Sequence, residues 1–291
     1  MRPDRFRHFA AIDWSGAAGE RHAGIAVAIC EAGNAAPKIV RPGHRWSRPE
    51  VAAWIEHQMP AETLVGLDIS GSLAFADAGA FFPGWPSSPD DARGLWALVE
   101  RLCADDPHLG AASFVDHPEI ARHYRRHGGR EGDLFGGGTG RLRLTERIGQ
   151  AALGCRPTSN FNLVGASQVG KASLTAMRVL HRLDDKLALW PFDPLPDHGS
   201  VAVEIYTTIA AIAAGRSAGR SKLRSFAELN AALGALDSKP VRGRGPIDDH
   251  RSDALLAAAW LRTVAHAPQF WSPDALTPGI ARTEGWTFGA L

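Results

Sequence analysis

Five acidic residues stand where the chain is otherwise apolar. Asp13 ends "HFAAID", Asp68 ends "TLVGLD", and Glu204 lies inside "VAVEIY". Asp249 and Asp253 open the alanine-rich stretch "DDHRSDALLAAAW". One such acid is ordinarily a hydrogen-bonded group or an edge residue. Five together share a problem: buried carboxylates are costly to leave unpaired, and several at one place cannot all ionise without cations. Something positive must sit among them, an arginine or a metal ion. Hard divalent ions such as Mg²⁺ or Mn²⁺ suit carboxylate oxygens. Two such ions, about 3.5–4 Å apart, form the clamp used for in-line phosphoryl displacement.

The elements that must position these acids are legible. Ala254 to Ala259 are good helix formers, and Asp248 is placed to cap the free amides that precede them. Asp253 shares its helix face with Leu256, Ala257, Trp260 and Val264, so it points at the core, with Asp249 one turn earlier. "RHFAAIDWSG" reads as a short buried strand and a turn, and "HAGIAVAIC" as its hairpin partner. "APKIVRPG" reads as a third strand, "RPEVAAWIEHQM" as a helix and "TLVGLDIS" as a fourth strand. Parallel neighbours would set the ends carrying Asp13 and Asp68 side by side, and a helix across the sheet would bring Asp249 and Asp253 to the same point. Ser15 and Ser70 shape the two turns.

From Gly71 to about His198 the pattern loosens into loops around the helices "ARGLWALVERLCAD" and "KASLTAMRVLHRLDDKL", closing in the connector "WPFDPLPDHGS". "SVAVEIYTTIAA" returns to strand character. "EGWTFG" ends the chain as an exposed-looking tail with an aromatic anchor.

Composition supports a folded α/β protein with a sizeable core: 291 residues, 45% hydrophobic, nine Trp. A net charge of +1 neither favours nor excludes a nucleic-acid partner, so local distribution decides. Cys30, Cys103 and Cys155 are too scattered for a disulfide framework or a zinc site. No signal peptide and no membrane-length apolar run is evident, which predicts a cytoplasmic protein and no membrane partner.

"GASQVGKAS" nearly spells a phosphate-binding loop, but Ala172 replaces the hydroxyl residue that would hold magnesium. An ordinary glycine-rich start to a helix is the plain reading. Lys171 and Gln168 remain candidate phosphate contacts. Arg122, Arg125, Arg126, Arg130, Arg141, Arg143 and Arg147 form a basic stretch, and Arg216, Arg220, Lys222 and Arg224 a second one. Charge runs are usually solvated faces. The sharper expectation is a phosphate-tracking surface beside the acids, with Arg126, Arg141 and Arg143 in contact with substrate.

The motifs "IDWSGA", "GLDIS", "VGASQVGKASL", "VEIY", "DDHRSDAL" and "EGWTFG", in that order over nearly the whole chain, resemble the family called domain of unknown function 429. Its members are described as predicted nucleases of the RNase H-like superfamily. The resemblance implies one domain over residues 1–291. Its mixed β-sheet flanked by helices would come from about 1–75 and 198–291, with a large insertion, about 76–197, between the fourth and fifth core strands. It also implies Asp13, Asp68, Glu204 and Asp253 as catalytic residues, which with Asp249 would hold Mg²⁺ or Mn²⁺, with room for two ions. The implied function is metal-dependent phosphodiester hydrolysis of a nucleic acid. Two rivals stand beside it. One is nucleotide-dependent phosphoryl transfer on a related fold. The other is a non-catalytic nucleic-acid-binding or scaffold protein whose acids are paired with arginines.

Overall fold

The computed structural model describes residues 5–164 and 169–291. Its centre is a mixed six-stranded sheet in the order β3-β2-β1-β4-β8-β7. β1 (His8–Asp13), β2 (Ala26–Glu31) and β3 (Lys38–Ile39) form an antiparallel meander. α1 (Arg48–His57) then crosses over to β4 (Thr63–Asp68), which pairs with β1 in parallel. β8 (Val201–Ile205) adds in parallel to β4, and β7 (Ala188–Trp190) in parallel to β8 at the edge. A two-residue hairpin, β5 (Arg125–Arg126) with β6 (Arg130–Glu131), lies apart.

Both faces of the sheet are covered, which is why the strands read as continuous apolar runs. Side chains alternate between faces. Ala10, Ile12, Val65, Leu67 and Ala202 share one core with α1, α2 (Ala92–Leu102) and α6 (Val169–Leu183). Also in this segment are the short α3 (Ala112–Asp116) and α4 (Pro118–Ala121), and α5 (Leu144–Leu153). Phe9, Ala11, Leu64, Val201, Val203 and Ile205 share the second core with α7 (Thr207–Ala213), α8 (Phe226–Ala235) and α9 (Asp249–Val264). The short α10 (Pro268–Trp271) and α11 (Pro278–Thr283) follow. α9 lies close on the sheet at Gly66, where a Cβ would come within 2.9 Å of Leu261 Cδ1.

Strands β1 to β4, β8 and the helices α1, α2, α6 and α9 stand where the sequence places them. Within residues 76–197, α2 and α6 cover one face of the sheet, and β7 joins the sheet at its edge. One expectation needs correction: the tail is not exposed. Trp286 and Phe288 are fully buried, and the Phe288 N–H donates to the Glu204 carbonyl (2.8 Å), carrying on alongside β8 where β7 stops.

Candidate active site

A cleft of about 560 Å³ opens at the carboxyl ends of β1, β4 and β8, walled by their turns, by α5 and by the start of α6. Clefts at this end of a parallel sheet are where open α/β folds bind ligands. Asp13 and Asp68 are direct register partners across the β1–β4 ladder. By alternation both belong to the α9 face. The turn after Asp13 is pinned from two sides. The buried Arg48 guanidinium donates to the carbonyls of Ser15 (3.1 and 3.2 Å), Ala17 (2.5 Å) and His108 (3.0 Å). Gly16 meets the backbone of α6, where a Cβ would stand 2.3 Å from the Ala172 nitrogen. The turn after Asp68 is tied to the same helix, with the Ser70 N–H donating to Ser173 Oγ (3.3 Å). Thus both turns rest on "VGKAS".

α9 supplies the third carboxyl. Asp248 caps it by accepting from the Arg251 N–H (2.8 Å), as the sequence suggests. Asp253 is buried, and its charge is felt at Asp68 as that of Asp13 is felt at Asp253. Asp13, Asp68 and Asp253 are close enough to perturb one another. Burial raises the Asp13 carboxyl, and hydrogen bonding to His250 pulls it partly back. Burial, then the charges of Asp13 and Asp253, push Asp68 up to about 8. Burial lifts Asp253 to about 6 against the pull of Lys222. Burial dominates all three shifts, and repulsion among the acids adds to those of Asp68 and Asp253.

Among the described residues two basic side chains answer the three acids, and neither is an arginine. Lys222 Nζ forms an ion pair with Asp253 Oδ2 in a very short contact. Burial works against its charge, yet Asp253, Asp13 and Asp68 outweigh that and raise its pKa. His250 Nδ1 lies 3.1 Å from Asp13 Oδ1, and that hydrogen bond raises the imidazole pKa. Among the described residues, Asp68 has only weak hydrogen bonds, from the Thr207 N–H (3.4 Å) and Oγ1–H (3.3 Å). Lys222 and His250 were both within sight: His250 sits between Asp249 and Asp253, and Lys222 belongs to the second basic cluster. Spacing alone does not tell a lysine inside an acidic site from one on a solvated face.

Glu204 does not join the cluster. It pairs with Leu67 rather than Asp68, so alternation turns it to the opposite face from Asp13 and Asp68. There Arg143 grips both its oxygens (2.6 and 2.8 Å), while the Thr287 hydroxyl (2.5 Å) and the Gly71 N–H (2.7 Å) donate to them. Arg143 also holds Glu146 (3.0 Å) and is 1% exposed, a structural ion pair rather than a substrate contact. Arg141 is bound to Asp77 (2.6 Å), and Arg126 to Asp116 (3.0 Å). These three arginines are therefore occupied by carboxylates, so a phosphate would have to displace them. Lys171 touches His127 Nε2 (2.6 Å) and has no carboxylate partner among the described residues. Gln168 lies outside the described residues. Asp249 is half-buried and reaches the cluster only through its charge on Asp253. Arg156, which the sequence reading passed over, lines the cleft.

Among the described residues, no three His, Cys, Asp or Glu side chains stand as a ready-made metal-ligand group. The cation that stands beside Asp253 is the Lys222 ammonium. No family model, no curated protein and no solved structure matches the chain.

Proposed function

We propose that the cluster of Asp13, Asp68 and Asp253, of which Asp68 lines the cleft, is the active site of a metal-dependent phosphodiesterase acting on nucleic acid. The observation that carries this reading is the convergence of Asp13, Asp68 and Asp253 at the carboxyl ends of two parallel strands. Burial is the first cause of their raised pKa values. Those three would hold Mg²⁺ or Mn²⁺, and with Glu204 turned away the set supports one ion better than two. Such an ion, when bound, supplies Lewis-acid stabilisation and a more acidic water. The chain's own residues do the rest. His250 orients the Asp13 carboxylate through its Nδ1. Arg48 and α6 fix the turn that carries Asp13, so its carboxylate is held by rigid elements. Lys171 and Arg156 are the cations offered to the substrate backbone.

A second reading is favoured by the Lys222–Asp253 and His250–Asp13 pairs. It takes the acids as internally neutralised parts of a binding or scaffold protein. The test is cleavage of labelled DNA and RNA panels with Mn²⁺ or Mg²⁺ by wild type, Asp13→Asn, Asp253→Asn and Glu204→Gln. Metal-dependent cleavage lost in both aspartate variants and kept in Glu204→Gln supports the enzyme. Absence of cleavage across the panel, or cleavage indifferent to both aspartates, moves the weight to the scaffold.

A further inference from the structure

We propose that a second cavity, which shares the turn after Asp13 with the cleft, is a binding site for a phosphate ester. It does not rest on the metal reading, because none of the three clustered aspartates lines it. The cavity measures about 370 Å³, within the range of small-ligand pockets. Its walls are the turn Gly16–Gly19, the stretch Pro107–Gly110, α3, the β5–β6 hairpin and α6. The hairpin, which stands apart from the main sheet, thus has a place as one side of this cavity. Val115, Leu163 and Leu174 give it an apolar body, and Arg126, Arg130 and Lys171 give it charge.

The charge is unbalanced. Arg48, Arg126, Arg130 and Lys171 line the cavity against two carboxylates, Asp106 and Asp116. Arg48 is held by backbone carbonyls, and Asp106 accepts from the Ser113 N–H (2.9 Å) and hydroxyl (2.6 Å). That leaves three cations and one carboxylate. Asp116 pairs with Arg126 at 3.0 Å, but its side chain is 61% exposed, so the pair is a screened one that a competing anion can replace. Arg126 Nε is covered and has no acceptor among the described residues. Arg130 Nε donates to the His127 carbonyl (3.2 Å), and Lys171 Nζ to His127 Nε2 (2.6 Å). Among the described residues neither of these two has a carboxylate partner. Burial lowers the Lys171 pKa, with no counter-charge to offset it.

The excess of two positive charges selects the ligand. A phosphate monoester is close to a dianion at neutral pH and offers three acceptor oxygens, whereas a carboxylate would leave one cation unanswered. Guanidinium groups and an ammonium are the donors such a group takes. Gly16 and Ala17 line the cleft as well as this cavity. The ester can therefore come from either of two sources: a free small molecule, or the phosphorylated end of a strand lying in the cleft.

The experiment is calorimetric titration of phenyl phosphate into the full chain with a metal chelator present, which keeps the acidic cluster silent. Wild type should bind it saturably. Inorganic phosphate, which lacks the apolar body, should bind more weakly, and phenol, which lacks the charge, should not bind. Lys171→Gln, Arg126→Gln and Arg130→Gln, with folding checked by circular dichroism, should each weaken binding about tenfold. Arg156→Gln, in the neighbouring cleft, should leave it unchanged. A 5′-phosphorylated tetranucleotide that displaces phenyl phosphate identifies a strand end as the source, and one that does not identifies a free ester. No saturable binding by wild type, phenol binding as tightly as phenyl phosphate, or wild-type affinity in all three folded variants overturns the proposal. Each of those results leaves the metal-dependent cleavage test as it stands.

Discussion

Asp68 stands directly opposite Asp13 in the parallel β1–β4 ladder, and neither carboxyl meets an arginine among the described residues. The Asp68 carboxyl is pushed up to about 8, first by burial and then by Asp13 and Asp253. The folded state therefore holds a proton there that the unfolded chain, near 3.8, releases. Stability from this group is full below the unfolded value and is lost as pH rises towards 8. Asp68→Asn should accordingly stabilise the protein, by on the order of 1–2 kcal/mol at pH 8 and by nothing near pH 4. Thermal melts at the two pH values decide it. A variant no more stable than wild type at pH 8 would show that the carboxyl is adequately compensated as it stands.

The pair Arg143 and Glu204 predicts the opposite behaviour. Arg143 is the cation for two buried carboxylates, Glu204 and Glu146. Arg143→Met strands both, and breaking a buried pair from one side costs about 3–5 kcal/mol. Urea denaturation measures it. Glu204→Gln keeps the shape but only one acceptor oxygen for the donors Thr287, Gly71 and Arg143, and it should leave Mn²⁺ affinity unchanged. A loss of Mn²⁺ binding in Glu204→Gln would return Glu204 to the metal site, and a loss below about 1 kcal/mol in Arg143→Met would remove the structural role claimed for the pair.

How much of this was visible in the sequence can be traced residue by residue. Asp13 and Asp68 were, because each ends a buried run and chain order makes their strands neighbours. Asp253 was, because the helical period puts it on the apolar face. Glu204 misled because a lone acid in a strand looks the same whichever face it takes. Its face depends on a one-residue register with β4, which only the assembled sheet fixes. β7 was hidden because "ALW" is too short to show alternation. The tail was misjudged because glycine and a chain end look like exposure, whereas Trp286 and Phe288 fill the second core. Pairs such as Lys222–Asp253 and Arg141–Asp77 join distant segments, so no local pattern announces them.

Two buried histidines set an acid limit on stability. His22 is buried with its Nε2 unpartnered among the described residues, and His123 is buried with its ring 5.5 Å from that of Phe82. Burial first, then nearby arginines, lowers both to about 4. The folded state keeps them neutral where the unfolded chain, near 6.5, takes up protons. Their contribution is therefore complete above pH 6.5 and is lost as pH falls towards 4. His22→Leu and His123→Leu should each flatten the fall in urea midpoint between pH 7 and pH 5. An unchanged slope in both variants would place the acid sensitivity elsewhere.

Gly16 offers the most direct test of how the site is positioned. A Cβ at this residue would stand 2.3 Å from the Ala172 nitrogen and 2.6 Å from the Lys171 carbonyl carbon, both backbone atoms of α6. Backbone of a packed helix cannot step aside as a side-chain tip can. Gly16→Ala must therefore push the turn after Asp13 away from α6, at an expected cost of about 1–3 kcal/mol. The same push loosens the Arg48 contacts to Ser15 and Ala17 and with them the seat of Asp13, so Mn²⁺ affinity should fall together with stability. Gly149, inside α5, is the matching control: an added Cβ there meets nothing within 4 Å. Gly149→Ala should gain up to about 1 kcal/mol from helix propensity alone and leave metal binding alone. Melts and Mn²⁺ titrations of the two variants separate the cases. Gly16→Ala matching wild type in both would mean that Asp13 is positioned by its strand alone, with no help from α6.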